Sequence, residues 1–337
     1  MANILIIRFS AFGDVTMLVP EAYSVARSYP GDHFFVLTNK RFEPLFKGLL
    51  SNLEPIGIDL NDYKGVFGIF RLAKDLVKLN IDKVADVHDV IRSKLLRVIF
   101  ILRNIKVKHI DKGRGEKKAI LSRKSPIHPL KHTTERYHDV FSKLGYPAEM
   151  QFESFFSHRP SQVSLPDSFP FNTALKNIGI APFAKHNTKM YPLDQMEQLI
   201  SRLSALDNIN IYLFGNEQEM ELLSGWHEKY NTISVTEILT LEQELYLMSR
   251  LNVLISMDSA NMHLASLVRI PVISVWGATH PCFGFYGFKQ SPGNAVQIDL
   301  ECRPCSVYGN KTCARGDLAC LKSISSNLIY SKIMRII

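Results

Sequence analysis

The chain has 337 residues, of which 46% are hydrophobic and 21% charged, with 40 Lys/Arg against 32 Asp/Glu for a net charge of +8. That length fits two domains of about 150 residues, each able to bury its own core, and the composition excludes a disordered or fibrous chain. No apolar run reaches the roughly 18 residues needed to cross a bilayer, and no leader with a small-residue cleavage site is visible, so a cytoplasmic protein is expected.

The first third alternates short apolar runs with longer amphipathic ones, the rhythm of strand-helix units in a parallel sheet. Strands are expected at residues 4–8, 33–38 and 82–87, and helices at 15–28 and 66–79. Between residues 157 and 172, Pro160, Pro166 and Pro170 stand among serines with little periodicity, as in an interdomain connection. The alternation then restarts, with strands at 177–182, 209–214, 252–256 and 271–276. Helices are expected to open at Pro192, where a first helical position tolerates proline, over 217–230, and from Ala260. The organisation is α/β, with domains at 1–160 and 172–320 and a helix over 321–337 that packs back on the first domain.

Three segments fall just beyond predicted strands, where open α/β sheets bind ligands because loops and helix N-termini aim backbone N–H groups at one point. In Ser10-Ala-Phe-Gly-Asp14, Gly13 permits a tight turn or close ligand approach. Asp14 is either a helix cap or a carboxylate that takes a proton from a hydroxyl. In the loop over 181–192, Lys185, Thr188 and Lys189 either donate to phosphate oxygens or are simply solvated; the glycines of a Walker loop are missing. In Asp258-Ser-Ala-Asn-Met-His263, Asp258 or Ser259 can cap a helix whose free N–H groups face a diphosphate. His263 shares a helix face with Ser259, or is a satisfied core residue. Trp276-Gly-Ala-Thr-His-Pro281 follows the next strand.

Taken in order, Ile7-Arg-x-Ser-x-x-Gly-Asp14, Lys189-x-Tyr-Pro192, Leu241-Glu-Gln243, Met257-Asp-Ser-x-x-x-His-Leu-Ala265 and Trp276-Gly-x-Thr-His-Pro281 resemble glycosyltransferase family 9, the ADP-heptose:lipopolysaccharide heptosyltransferases. The resemblance spans nearly the whole chain. It implies a GT-B fold, two Rossmann-like domains facing each other across a cleft, with the acceptor on the first and an ADP-activated heptose on the second. It implies Asp14 as general base and Lys189 as the contact to the donor phosphates. Thr188, Asp258, Ser259, Ala260 and His263 would surround the nucleotide-sugar, Glu217 the nucleoside, and Ser10, Gly13, Arg92 and Arg123 the acceptor. Family members often carry Gly where this chain has Ala260. The implied reaction inverts the sugar, and basic groups replace a divalent metal, so no cofactor is required.

From Arg92 to Arg136 there are 14 Lys/Arg and three acids, more positive charge than the whole chain carries net. This belt is expected to meet a lipid-anchored lipopolysaccharide core acceptor and the anionic inner leaflet, giving peripheral association with the inner membrane. It is poor in aromatics and belongs to no recognisable binding module, so a nucleic-acid partner is not expected. Cys302, Cys305, Cys313 and Cys320 are spaced for a structural zinc, a redox-sensitive pair or plain thiols. A nicotinamide-dependent oxidoreductase, the rival enzyme class, would need a Gly-x-Gly-x-x-Gly turn that the first strand lacks.

Overall fold

The alternating apolar runs become two parallel sheets, one in each of two units of the computed structural model, which describes residues 1–159 and 163–337. Pro160, inside the expected connection, lies outside the described residues.

The first unit holds residues 1–114 and 131–159. In chain order it runs β1 (Asn3–Ile7), α1 (Phe12–Ser28), β2 (His33–Asn39), β3 (Leu53–Ile58), α2 (Gly65–Val77), β4 (Lys83–Asp86), α3 (Ile91–Ile101) and β5 (Lys106–His109). After α4 (Arg114–Leu121), nearly all of which lies in the second unit, comes α5 (Thr133–Leu144). The strand order is β3-β2-β1-β4-β5, all parallel. Ile4, Leu5, Ile6 and Ile7 are all fully buried, the continuous apolar run of a strand covered on both faces. On one face Leu72 and Leu76 of α2 and Leu96 and Phe100 of α3 close the core over Leu5 and Ile7. Helix α1 begins three residues earlier than expected, because Ala11 takes the extended N-cap conformation and Asp14, at N3, accepts back from the Ala11 N–H at 3.4 Å.

The second unit holds residues 115–130 and 163–337. Its elements are β6 (Lys176–Ala181), α6 (Leu193–Ser204), β7 (Ile209–Leu213), α7 (Met220–Tyr230), β8 (Ile233–Ser234), α8 (Leu241–Ser249), β9 (Val253–Met257), α9 (Ala260–Leu267), β10 (Val272–Val275), β11 (Ala295–Val296), α10 (Ala319–Lys322) and α11 (Ser326–Ile336). They form a parallel sheet of order β11-β10-β9-β6-β7-β8. Pro192 is the N-cap of α6, one residue before the first helical position expected for it.

Three boundaries differ from the expected ones. Residues 115–130 leave the first domain because Ile120 and Leu130 cluster with Cys282 and Phe283, and the Leu130 N–H donates to the Cys282 carbonyl at 2.8 Å. The last helix, α11, belongs to the second unit, where Ile329 and Ile333 complete the core beside α6. The described part of the connection is also packed: Phe169 stacks on Tyr212 at 6.1 Å, and the Tyr212 hydroxyl donates to the Pro170 carbonyl at 3.2 Å.

Each sheet reverses its winding once, between β1 and β4 in the first unit and between β6 and β9 in the second. Those two switch points are where loops diverge and a crevice opens beyond the strand ends. No helix among the described residues is long and apolar enough to cross a membrane.

Candidate active site

At the switch point of the first unit, the chain leaves β1 through Arg8, Phe9 and Ser10 and enters α1. Arg8 is buried, its Nη1 donating to the Val87 carbonyl at 2.6 Å and its Nη2 bridging Asp14 Oδ2 at 2.6 Å. The Asp14 side chain is 30% exposed. The Tyr137 hydroxyl donates to the Asp14 carbonyl at 3.0 Å, so α5 fixes the same turn from another direction. The carboxylate is the N3 member of a cap, as one of the two readings has it, and it is also partly open to solvent.

Beyond β4, on the other side of the switch point, lies His88, which the sequence reading missed. The Phe9 N–H donates to its Nδ1 at 3.4 Å, which places the ring proton on Nε2, 3.4 Å from Ser10 Oγ. Burial, then the positive charges of Arg8 and Lys112, push His88 down to about 3. A histidine held neutral so firmly is a weak base at neutral pH. The signal for His88 was present as Asp86-Val-His-Asp89 at the end of a predicted strand.

Ser10 thus lies beside His88. Gly13 is the second residue of α1, so the tight turn, one of the two roles open to it, is not seen. Arg92 is half-buried near the start of α3, and its charge contributes to the depression of His88. Arg123 stands in the other unit, where its guanidinium donates to the Arg303 carbonyl at 2.9 Å and to the Glu301 carbonyl, so its expected place among the acceptor contacts is replaced by a structural one.

At the switch point of the second unit, Lys189 at the end of the β6 loop meets Asp258 at the end of β9, Nζ to Oδ2 at 2.9 Å. Asp258 is buried, and its Oδ2 also accepts from Thr279 Oγ1 at 2.8 Å, in the loop after β10. Three neighbouring strands thus send one residue each to a single point. Thr188 is turned inward: its hydroxyl donates to the Gly309 carbonyl, and its own carbonyl accepts from the Ala278 N–H at 3.0 Å.

Two glycines permit this packing. A Cβ on Gly277 would lie 2.5 Å from the Thr188 carbonyl oxygen, and one on Gly309, whose φ is +78°, would lie 2.5 Å from Lys189 Cδ. Arg303 ties the loop down from behind, donating to the carbonyls of Gly277 at 2.5 Å and Thr279 at 2.9 Å and to that of Ile298.

Ser259 is the N-cap of α9 by conformation, yet neither it nor Asp258 caps the helix through its side chain; Ser259 Oγ instead lies 3.2 Å from Ser256 Oγ. The N–H groups of the first turn, beginning at Ala260, therefore keep the orphan donors of a helix start, suited to an anion. His263 is buried within α9. Glu217 is exposed in a short 3-10 turn before α7, within hydrogen-bonding reach of Glu237, whose carboxyl that contact raises above its usual range.

Of the three alternatives for the four cysteines, the grouping of a structural zinc is not seen. Among the described residues no three His, Cys, Asp or Glu side chains are grouped to hold a metal ion. Cys320 is buried in α10 against the core, and burial pushes its thiol up to about 11. Cys305 Sγ faces the Ala278 carbonyl at 3.8 Å.

With this geometry the chain is similar to Escherichia coli heptosyltransferase WaaC with ADP-2-deoxy-2-fluoro heptose, at a TM-score of 0.69 and 21% identity over 99% of both chains. Two Rossmann-like parallel sheets in one chain, each with charged groups at its switch point, make up the GT-B fold. Residues 69–314 match glycosyltransferase family 9 (heptosyltransferase), and the chain belongs to that family. It is 23% identical to lipopolysaccharide heptosyltransferase 1 of Pseudomonas aeruginosa over 92% of this chain and 87% of that one. It is 25% identical to the protein of the same name from E. coli, over 87% of this chain and 93% of the other.

Proposed function

We propose that this enzyme transfers a heptose from an ADP-activated donor to a hydroxyl of a lipopolysaccharide core acceptor, with inversion and without a divalent metal. The family assignment carries the transfer of a sugar. The names of the relatives, two lipopolysaccharide heptosyltransferases and one heptosyltransferase with an ADP-sugar analogue, support the acceptor and the donor.

Asp14 takes the proton of the acceptor hydroxyl while that oxygen attacks the anomeric carbon from the face opposite the diphosphate. As the new C–O bond forms, the bond from carbon to phosphate oxygen breaks and its electron pair leaves on ADP. Lys189 and the first N–H groups of α9 meet the charge that develops there. A buried carboxylate beside a diphosphate would repel it if unpaired; Asp258 is paired to Lys189 and Thr279, so its role is to position the lysine.

In this reading the acceptor is lipid-anchored and the donor is a soluble nucleotide-sugar, so the reaction takes place at the cytoplasmic side of the inner membrane. The test is incubation with deacylated core oligosaccharide and a panel of ADP-, GDP- and UDP-sugars, with and without chelator. Release of ADP from ADP-heptose, unchanged by the chelator, is the expected result. Turnover of only a GDP- or UDP-sugar would replace the donor, and loss of turnover on chelation would overturn metal independence.

A further inference from the structure

Helices α2 and α3 are joined to the same sheet face, where Leu72, Leu76, Leu96 and Phe100 fill one core, and they pack beside each other. Their outer faces are not covered. Phe67 is 91% exposed, Ile91 80% and Leu102 79%, with Val66, Phe70 and Val98 each more than half exposed. On α2, Phe67, Phe70, Lys74 and Lys78 follow the three- and four-residue spacing of one helix face, as do Ile91, Lys94, Val98 and Leu102 along α3. These are not scattered apolar residues of an ordinary surface but two adjoining stripes, each continued by lysines.

The charges around the stripes are predominantly positive, Asp89 standing 3.7 Å from Lys94 Nζ. Six basic and no acidic residues stand between Arg92 and Lys108, and Lys64, Arg71, Lys74 and Lys78 surround α2, whose one acid, Asp75, is bridged to Lys78 at 2.8 Å. An apolar strip bordered by exposed lysines matches an anionic bilayer surface, where rings and aliphatic chains enter the headgroup boundary and ammonium groups meet phosphates. A second copy of this chain fits poorly, because a symmetric contact would bring two positive patches together.

The position also suits the chemistry. Helix α3 opens soon after the carboxyl end of β4 and α2 follows β3 after residues 59–64, so Phe67 and Ile91, in the first turns of their helices, come after the same strand ends beyond which Asp14 and His88 stand.

We propose that the α2–α3 face docks this enzyme on an anionic phospholipid bilayer, with Phe67, Phe70 and Ile91 entering the interface and Lys74, Lys78 and Lys94 contacting lipid phosphates. The inference rests on the reading of the acceptor as lipid-anchored, and it relocates the membrane contact from the Arg92–Arg136 belt as a whole to these two helices.

The test is sedimentation of the full chain with vesicles of phosphatidylcholine containing about 30 mol % phosphatidylglycerol, against phosphatidylcholine alone. The wild type is expected to bind the anionic vesicles and to be released by salt. Phe67→Glu/Phe70→Glu is expected to lower the partition at least about tenfold, and each of Lys74→Glu and Lys94→Glu about fivefold or more. All variants should turn over a soluble deacylated acceptor as the wild type does, which shows that they fold. Failure of the wild type to bind anionic vesicles, or unchanged binding by the double variant, overturns the docking surface. So does a wild-type dimer in sedimentation velocity that the double variant dissolves. Absence of turnover with every soluble acceptor would instead count against the proposed function while leaving the vesicle result standing.

Discussion

In the first unit a carboxylate that is 30% exposed, Asp14, is held by a guanidinium that is 5% exposed; in the second an ammonium that is 16% exposed, Lys189, is held by a carboxylate that is 8% exposed. The signs are exchanged and the design is shared: the more open charge faces the crevice, and the more deeply buried partner fixes its position. The difference lies in what surrounds the buried partner. Arg8 is anchored by a strand-end carbonyl and a ring, whereas Asp258 is anchored by a hydroxyl from a loop that Arg303 must itself hold down. The first site is therefore built on regular elements and the second on loops stacked against one another, which makes the second more sensitive to distant substitutions.

Apart from loss of the Asp14 charge itself, the largest effect should follow removal of the second site's open charge. Lys189→Ala is expected to lower turnover about 10²–10³-fold, and to lower stability by about 3 kcal/mol because Asp258 is left buried without its cation. Adding Asp258→Asn should restore most of the stability and none of the turnover. Recovery of turnover in the double variant would show that Lys189 serves only to neutralise Asp258.

Arg303→Ala should come next, at about 3 kcal/mol of unfolding free energy, since it strips donors from several buried carbonyls at once. A chemical denaturation curve measures this, and a loss below about 1 kcal/mol would mean the loop is held from elsewhere.

In the first unit the corresponding stress is acid. His88 stays neutral in the folded chain down to about 3, while an unfolded histidine takes up its proton near 6.5. Its contribution to stability is intact above pH 6.5 and is lost as the pH falls toward 3, by about 2 kcal/mol between about pH 6.5 and 5. His88→Gln should flatten that limb in denaturation curves recorded across this range; an unchanged slope would assign the acid sensitivity to other groups.

The smallest expected effect is that of Gly309→Ala. The added methyl group meets the stem of Lys189 at a backbone conformation that favours glycine, so turnover should drop about tenfold through displacement of the lysine. Turnover equal to wild type would show that the lysine stem adapts.

These contrasts also explain what could be read in advance. Strands with strong apolar runs, such as β1 and β9, and the residues immediately after them were legible, because an α/β sheet puts its ligands beyond its strand ends. The boundary at residue 130 was not, since Ile120 and Leu130 join Cys282 and Phe283 only through the tertiary fold. Nor was the place of α11, whose apolar spacing fits any sheet face. Arg123 and Arg92 looked alike in a basic belt, yet one is committed to backbone carbonyls of the second unit and the other stands near His88. His88 was missed, and Thr279 was seen only as part of a motif, because each acts through a partner far along the chain, at separations of 78 and 21 residues.

The central claim is that the open carboxylate of the first unit does the chemistry and leaves nucleotide binding to the second. Asp14→Asn, which keeps the shape and removes the charge, should lower turnover about 10²–10⁴-fold while the Kd for ADP measured by titration calorimetry stays at the wild-type value. Turnover within a few-fold of wild type, or an ADP affinity that falls in step with turnover, would contradict it.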